Sequence, residues 1–591
     1  MTGYPDELLC RVVRPARYTG GEWNACVKDW ESFPVKVVIV YPDIYEIGMS
    51  NLAIHILYQV LNQKEGVICE RAFAPWVDMI EEMKQHNVPL LSLETKHPLS
   101  EFDIVGFSLG YEPTYTNVLE MLRLSGIPLR SSDREGFPLV IGGGSCALNP
   151  EPMSMFFDLF VIGEGEEVVT EIIDIFEDRK NGKNKQKLLQ KLTTIPGVYV
   201  PQLYKVDYGK EGKVSSIYPL SPDVPPRVER RIAPGPYGVG RPIVPYIEIV
   251  HDQGTVEIQR GCTQGCRFCQ GGMIYRPPRW LSSDEIVKLV GELIQNCGYD
   301  EISLLSLSTT DYRGSIEGLL SSLWKHYPRV NFFLPSIRCD SFSPALMNLL
   351  SAHRKTTLTF APESGERLRR RMNKSLSDAS ILNFVALAQK HGWRNFKLYF
   401  MLGLPTEEEE DIWEAGRLIN RIHGLGVNVK VSLANFIPKP HTPCQWVPQD
   451  GQESLNHKIS LFRKAVHRGV RLSWPDPKLS LLEAILSRGD RRLGEVILHA
   501  WKKGSTFDSW SDHFSFENWL SAFDACGLDP AFYAHREREK GEVFPWSIIN
   551  TGIREEFLYR EGERILTGEE TPNCAREKCN LCGLESICLV Q

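Results

Sequence analysis

Between residues 255 and 436, six short apolar runs recur, with stretches of helical spacing between them. They are TVEIQ (255–259), EISLLSLS (301–308), VNFFLPS (330–336), TLTFAP (357–362), NFKLYFML (395–402) and VNVKVSLANF (427–436). This alternation constrains the fold strongly, because strands connected through helices pair in parallel and need helices to cover them. It predicts six βα units forming a partial (β/α)6 barrel over residues 251–450, with chemistry on the loops at the C-terminal strand ends. In SSDEIVKLVGELIQNCG, Ser283 is the expected helix N-cap and Gly298 the stop.

A second alternation runs from about residue 35 to 180, and with the extension before it makes a domain of residues 1–180. VKVVIVY, FDIVGFSLG, PLVIGGGS and FDLFVIGEGEE read as strands, several with glycine at the end. They predict a flavodoxin-like parallel sheet covered on both faces, with ligands beyond the C-terminal strand ends. The helix in SNLAIHILYQVLN is expected to place Leu52, His55, Ile56, Gln59 and Val60 on one side. The basic run KNGKNKQK and the Pro/Gly-rich stretch after it make 181–250 an expected irregular linker. Residues 451–591 read as a mostly helical region ending in a Cys-rich tail.

A chain of 591 residues exceeds one core and suggests about three domains. A net charge of −7 argues against one large basic face. No apolar run is long enough to span a bilayer, so no membrane association is expected. MTGYPDELLC lacks a basic region followed by an apolar core, so a cytoplasmic location is expected. In that setting, fifteen cysteines point to metal or redox chemistry rather than disulfides.

Seven of these cysteines form two clusters. Cys262, Cys266 and Cys269 are spaced x3 and x2 among glycines. Three thiolates can hold three irons of a cubane cluster and leave the fourth open. A zinc site completed by a remote ligand, or three structural thiols, fits the same spacing. Cys574, Cys579, Cys582 and Cys588 suffice for a closed zinc site or a fully ligated auxiliary iron–sulfur cluster. The basic run Arg367 to Arg371 and the acidic run Glu407 to Asp411 read as solvated helix segments.

RGCTQGCRFCQGG resembles the cluster loop of the radical S-adenosylmethionine (SAM) superfamily, with Phe268 before the last cysteine. The resemblance implies a [4Fe–4S] cluster whose open iron chelates SAM, and an electron donor such as flavodoxin or ferredoxin. LTFAPESGERLRRRMNKSLSD resembles the segment that contacts the ribose and carboxylate of SAM, through Glu363 and Ser364. FMLGLPTEEEED resembles the segment backing the adenine, through Leu404 and Pro405. The N-terminal strands resemble the cobalamin-binding domain of one branch, implying a cradle of Gly142, Gly143, Gly144, Ser145, Gly163 and Glu164. In DIYEIG, Tyr45 stands where many such domains carry the histidine that ligates cobalt. Either cobalamin binds without a lower protein ligand, or the domain does not bind it.

Nearly the whole chain is similar to one subgroup of these proteins, which implies a fold and a cofactor class but no substrate. The expectation is a radical SAM enzyme performing methylation or another group transfer on RNA, protein or a small metabolite. The reading from another class is a non-catalytic iron–sulfur or zinc adaptor acting on RNA or ribosomes.

Overall fold

A computed structural model of the chain describes residues 3–177, 184–353, 355–574 and 578–588. The first part of the run KNGKNKQK lies outside them. Strands β1 (Val35–Tyr41), β2 (Val67–Phe73), β3 (Ile104–Ser108), β4 (Leu139–Gly143) and β5 (Leu159–Val161) pair in parallel, and β6 (Val198–Tyr199) adds an antiparallel edge. Their order is β2-β1-β3-β4-β5-β6. The first five follow the flavodoxin-like order, with its switch point between β1 and β3.

Both sheet faces are covered, which explains why these strands read as continuous apolar runs. Val37, Ile39, Ile104, Ile141 and Val161 share a core with helices Leu52–Gln63, Val168–Glu177 and Lys185–Leu192. Val38, Val40, Val105, Val140 and Phe160 share another core with helix Tyr115–Leu124 and with Pro477–Arg488, Leu493–Lys502 and Phe516–Cys526. The C-terminal helices therefore complete the layer on the outer face of the N-terminal sheet. Leu493, Val496 and Ile497 are fully buried there, each worth roughly 1.5–3 kcal/mol. Helix Leu52–Gln63 buries Ile56 of the expected set, with Ile54, Tyr58 and Leu61 besides, and leaves Leu52, His55, Gln59 and Val60 half-buried. It is covered on two sides, and Gln59 on its other side donates to Gly238 O at 3.2 Å.

The expected irregular linker begins later than its composition suggests. Helix Lys185–Leu192 buries Leu188, Leu189 and Leu192, and β6 joins the sheet. A hairpin of β7 (Tyr204–Tyr208) and β8 (Val214–Pro219) follows. Flanking lysines and prolines mask these short elements in the sequence. Only after residue 219 is the backbone mostly irregular, apart from β9 (Val228–Glu229).

The second unit opens with β10 (Gly254–Glu257) and a ribbon of β11 (Gln259–Arg260) and β12 (Arg279–Trp280). Parallel strands β13 (Glu301–Leu305), β14 (Asn331–Phe333), β15 (Leu358–Glu363), β16 (Asn395–Leu402), β17 (Asn428–Asn435) and β18 (Arg471–Ser473) follow. They form two hydrogen-bonded sheets, β10-β13-β14 and β15-β16-β17-β18. The array has seven strands where six were expected. β18 is three residues long and lies just before Pro475, too short to show a period. Helix Ser283–Cys297 is capped by Ser282, one residue earlier than expected, in a capping box with Glu285. Gly298, at φ 74°, ends it as expected. β19 (Ile549–Asn550) returns to pair with β9, so the chain end is tied to the linker. Among the described residues, no helix is long and apolar enough to cross a membrane.

Candidate cluster and cofactor site

The ribbon β11–β12 holds the cysteine loop by both ends, with Arg260 opposite Arg279. Gly261 makes the first turn at φ 85°, where a Cβ would lie 2.3 Å from Tyr275 O. Cys269 N donates to Cys266 O at 3.1 Å. Cys269 then caps helix Gln270–Ile274, its Sγ accepting from Gly272 N at 3.3 Å. Cys262, Cys266 and Cys269 thus line one cavity of about 310 Å³. Burial pushes the Cys262 thiol up to about 12 and the Cys269 thiol up to about 11, with Cys266 adding to both. Among the described residues, no three His, Cys, Asp or Glu side chains are drawn together around a single ion position.

The same cavity brings in Phe268, Glu363, Lys374, Arg338, Thr359 and Tyr399. Glu363 ends β15 at φ 70°, a conformation costing ~1–3 kcal/mol for a non-glycine residue. Its Oε1 accepts from Lys374 Nζ at 2.7 Å. Burial works against the Lys374 ammonium, but Glu363 and Cys266 hold it above its usual range. Arg338 donates to Asp340 Oδ2 at 2.6 Å, and Gln264 of the loop donates to Asp311 Oδ2 at 2.7 Å. Two cations therefore flank the three thiols. Neither was singled out from the sequence. Lys374 lies beyond a run of arginines that reads as a solvated helix.

The remaining residues expected around SAM are placed differently. Ser364 is buried, and neither it nor Leu404 nor Pro405 lines this cavity. Leu404 is packed with Leu368, Met372 and Phe436, and Phe268 leans on that cluster. The charged runs nearby are solvated in part, at Arg370 and Glu408 to Glu410, and structural at their buried members. Arg369 is buried and pairs with Asp378 at 2.5 Å, Arg367 pairs with Asp411, and Glu407 pairs with Lys458 at 2.8 Å.

A second cavity, of about 400 Å³, lies between the N-terminal sheet and the barrel. Its floor follows from strand alternation. Successive inward positions are Ile104 then Gly106 on β3, and Ile141 then Gly143 on β4, with Val161 and Gly163 at the end of β5. The floor is aliphatic deep in the sheet and bare at the C-terminal strand ends. A Cβ on Gly106 or Gly143 would meet no atom closer than 3.8 Å, an ordinary contact, so each position would accept a side chain that intrudes on the cavity. Gly106 escaped the sequence reading, although IVGFS carries the same i, i+2 pattern as LVIGG.

The expected cradle residues divide here. Gly142, Gly143, Gly144, Gly163 and Glu164 line the cavity; Ser145 does not, and its hydroxyl donates to Gly110 O at 3.4 Å. A Cβ on Gly142 would point the other way, 2.7 Å from Phe160. Glu164 accepts from Arg279 at 2.7 and 2.8 Å and from Ala233 N at 2.7 Å. Burial alone would raise its carboxyl, but Arg279 and Arg260 hold it below the usual range. Arg260 also donates to Glu166 at 2.7 Å. The acidic segment therefore clamps the N-terminal domain onto the cysteine ribbon. Tyr45 is buried away from the cavity, donating to Glu22 at 3.0 Å. His55 is a core histidine held at Met49 O, 2.9 Å, and burial pulls it down to about 4. Leu307 lines both cavities and separates them.

The Cys-rich tail packs behind the cysteine loop. Arg267, with no exposed surface, donates to Glu561 at 3.1 Å, Arg371 O at 2.6 Å and Glu569 O at 2.6 Å. Asn373 donates to Gly265 O at 3.3 Å and accepts from Thr571 N at 2.8 Å. Asn580 donates to Pro572 O at 2.8 Å, and Arg554 N donates to Cys582 O at 2.8 Å, folding the tail back on itself. Burial pushes the Cys574 thiol up; Arg276 opposes this, and Cys588, Cys582 and Cys579 add to it.

Comparison with known proteins gives concordant matches. Residues 53–201 match the family model for radical SAM proteins, N-terminal, and residues 256–419 that for the radical SAM superfamily. An uncharacterized protein of Methanocaldococcus jannaschii is 28% identical over 501 residues, 83% of this chain and 97% of its own. The threonylcarbamoyladenosine tRNA methylthiotransferase of Treponema pallidum is 25% identical over 188 residues, 31% of this chain and 39% of its own. Among solved structures, the radical SAM methyltransferase TsrM of Kitasatospora setae, with cobalamin and a [4Fe–4S] cluster bound, aligns over 83% of this chain and 99% of its own. The TM-score is 0.50 at 14% identity, a likeness of fold.

Proposed function

Because this chain belongs to the radical SAM superfamily of enzymes, we propose that it cleaves SAM reductively at a [4Fe–4S] cluster held by Cys262, Cys266 and Cys269. The outcome we propose is methylation or another group transfer, assisted by cobalamin. The observation that carries this reading is the adjacency of two cavities, one lined by three thiols and two cations, the other aliphatic and floored by glycine, with Leu307 between them.

The donor set fits the cluster, since three thiols of one short loop face one cavity. The bare strand ends at Gly106 and Gly143 fit a flat macrocycle, and the aliphatic depth fits the benzimidazole base of its nucleotide tail. With Tyr45 turned into the core, cobalamin would be held without a lower protein ligand. When bound, these groups supply the radical and the transferable methyl.

The chain's own residues bind, orient and exclude water. Lys374 and Arg338 place positive charge beside the cluster thiols and suit an amino-acid carboxylate. Lys374 also fixes Glu363 at the mouth of β15. Glu164 and Glu166 hold Arg279 and Arg260, and thereby the loop, in register with the sheet. In this reading Phe268 orients the loop on the Leu404 cluster, and Leu404 and Pro405 act from behind the cavity wall. Cys574, Cys579, Cys582 and Cys588 hold a zinc ion or an auxiliary cluster that braces the loop from behind. A low-potential one-electron donor of the flavodoxin or ferredoxin class supplies the electron.

The test is anaerobic reconstitution with iron and sulfide, followed by dithionite and SAM. 5′-Deoxyadenosine or methionine should accumulate above a Cys266→Ala control. No turnover above that control would overturn the reading and favour a non-catalytic metal-binding adaptor.

A further inference from the structure

The inner faces of β16, β17 and β18 carry an unusual register. Lys397 lies directly opposite Lys430, and Lys430 directly opposite Arg471. Three cations thus form one row across three hydrogen-bonded parallel strands, about 4.8 Å apart from strand to strand. Like charges directly opposite one another destabilise a sheet. Among the described residues no ion pair joins a carboxylate to any of the three, and the Lys397 ammonium lies over the Tyr399 ring, 4.8 Å from its centre. On the neighbouring helices, by contrast, Arg417 holds Glu410 and Lys458 holds Glu407 and Asp450.

The row is open to solvent, with Lys430 and Arg471 exposed and Lys397 half-buried. The opposite faces of these strands, Leu398, Val431 and Leu472, pack into the barrel core. The neighbouring rows are polar as well. Two residues towards the N-terminal ends, Asn428 donates to Asn395 at 3.0 Å. Two residues towards the C-terminal ends, Tyr399 stands opposite Ser432, and Ser432 and Ser473 share a hydrogen bond of 3.2 Å. The inward positions of closed barrels are filled by branched apolar side chains. Here they are left polar, cationic and open.

The row leads into the cluster cavity. Tyr399, 38% exposed, and Thr359, the register partner of Lys397, both line that cavity. Along the strand, Tyr399 lies about 6.6 Å beyond the cationic row. Charge without counter-charge calls for an anion. Three cations in a line call for a polyanion, and the exposed part of the Tyr399 ring, beside the Lys397 ammonium, suits a stacked base.

Building on the SAM-cleaving reading, we propose that the substrate is a single-stranded segment of nucleic acid, its backbone phosphates on Lys397, Lys430 and Arg471 and the target base presented over Tyr399 to the cluster cavity. The overall net charge of −7 makes this local row, rather than a broad field, the means of recognition.

The experiment measures binding of fluorescein-labelled single-stranded RNA and DNA oligomers of about 15 nucleotides by anisotropy across a salt series. It uses the full chain and needs no turnover. The parent should bind, and Lys430→Gln and Arg471→Gln should each reduce the slope of log K against log salt by about 0.7. The double variant should bind roughly tenfold more weakly, and Lys430→Arg should retain binding. A melting temperature for Lys430→Gln at or above the parent's separates lost binding from lost structure. The proposal is overturned if the parent binds no oligomer, if the glutamine variants keep the parental slope, or if a phosphoserine peptide or inorganic phosphate displaces the oligomer at equal concentration. Oligomer binding without SAM cleavage would overturn the catalytic reading alone; cleavage without oligomer binding would overturn this one alone.

Discussion

At the scale of single residues, two buried charges give distinct expectations. Asp508 is fully buried, with Thr116 donating at 2.8 Å and Trp519 at 3.2 Å. Burial raises its carboxyl from 3.8 to about 6. The folded state therefore keeps a proton that the unfolded chain loses as pH rises. Stability from this residue is complete below about pH 4 and is lost between pH 4 and 6, by about 3 kcal/mol. Comparing melting temperatures of the parent and Asp508→Asn across that range should show the difference moving in favour of the variant as pH rises. Arg267 is the reverse case, a buried cation that the tail satisfies. Arg267→Met removes the bonds to Glu561, Arg371 O and Glu569 O, while Glu561 keeps Arg564 and Thr571, and should cost about 1.5–3 kcal/mol, read as a lower melting temperature and lower iron content after reconstitution. Neither role is visible in the sequence, since both partners lie far along the chain.

At the scale of elements, alternation carries most of the prediction. The positions i and i+2 of IVGFS and LVIGG set Gly106 and Gly143 on the cavity floor, and both have space for a side chain. Gly106→Val and Gly143→Val should therefore leave melting temperature and iron content near those of the parent. Retained cobalt after incubation with hydroxocobalamin and desalting should fall at least several-fold. Equal cobalt in parent and variants would remove cobalamin from the account of this cavity. Most strands of the sheets were legible because their apolar runs are four to eight residues long, but β2 was missed because the buried charges Glu70 and Arg71 interrupt its run. β6 and β18 were not, because two or three residues carry no period and owe their place to neighbours. The GEGE segment shows a different limit: its glycine fits the expected cavity, but its carboxylates are spent on Arg260 and Arg279.

At the scale of the whole molecule, the chain is interlocked rather than strung in sequence order. Helices from residues 477–526 cover the N-terminal sheet, β19 pairs with β9, and the tail buttresses the cysteine loop. Composition divided the chain where its layers do not divide, because amphipathic helices do not declare which sheet they cover. The N-terminal domain and cysteine ribbon should accordingly respond together to Glu164→Gln. Removing that charge leaves Arg279 half-paired in a buried site, costing about 3–5 kcal/mol. Limited proteolysis should then cut both the 220–253 connection and the cysteine loop faster than in the parent. Faster cutting in only one of them would contradict the clamp.

Electron paramagnetic resonance of the reduced, reconstituted protein tests the cysteine trio most directly. The expected result is a cluster signal that changes shape when SAM is added, persists when the tail cysteines are replaced, and loses its SAM-sensitive part in Cys266→Ala. A signal indifferent to SAM, or a protein that takes up zinc and no iron at those three thiols, would contradict it.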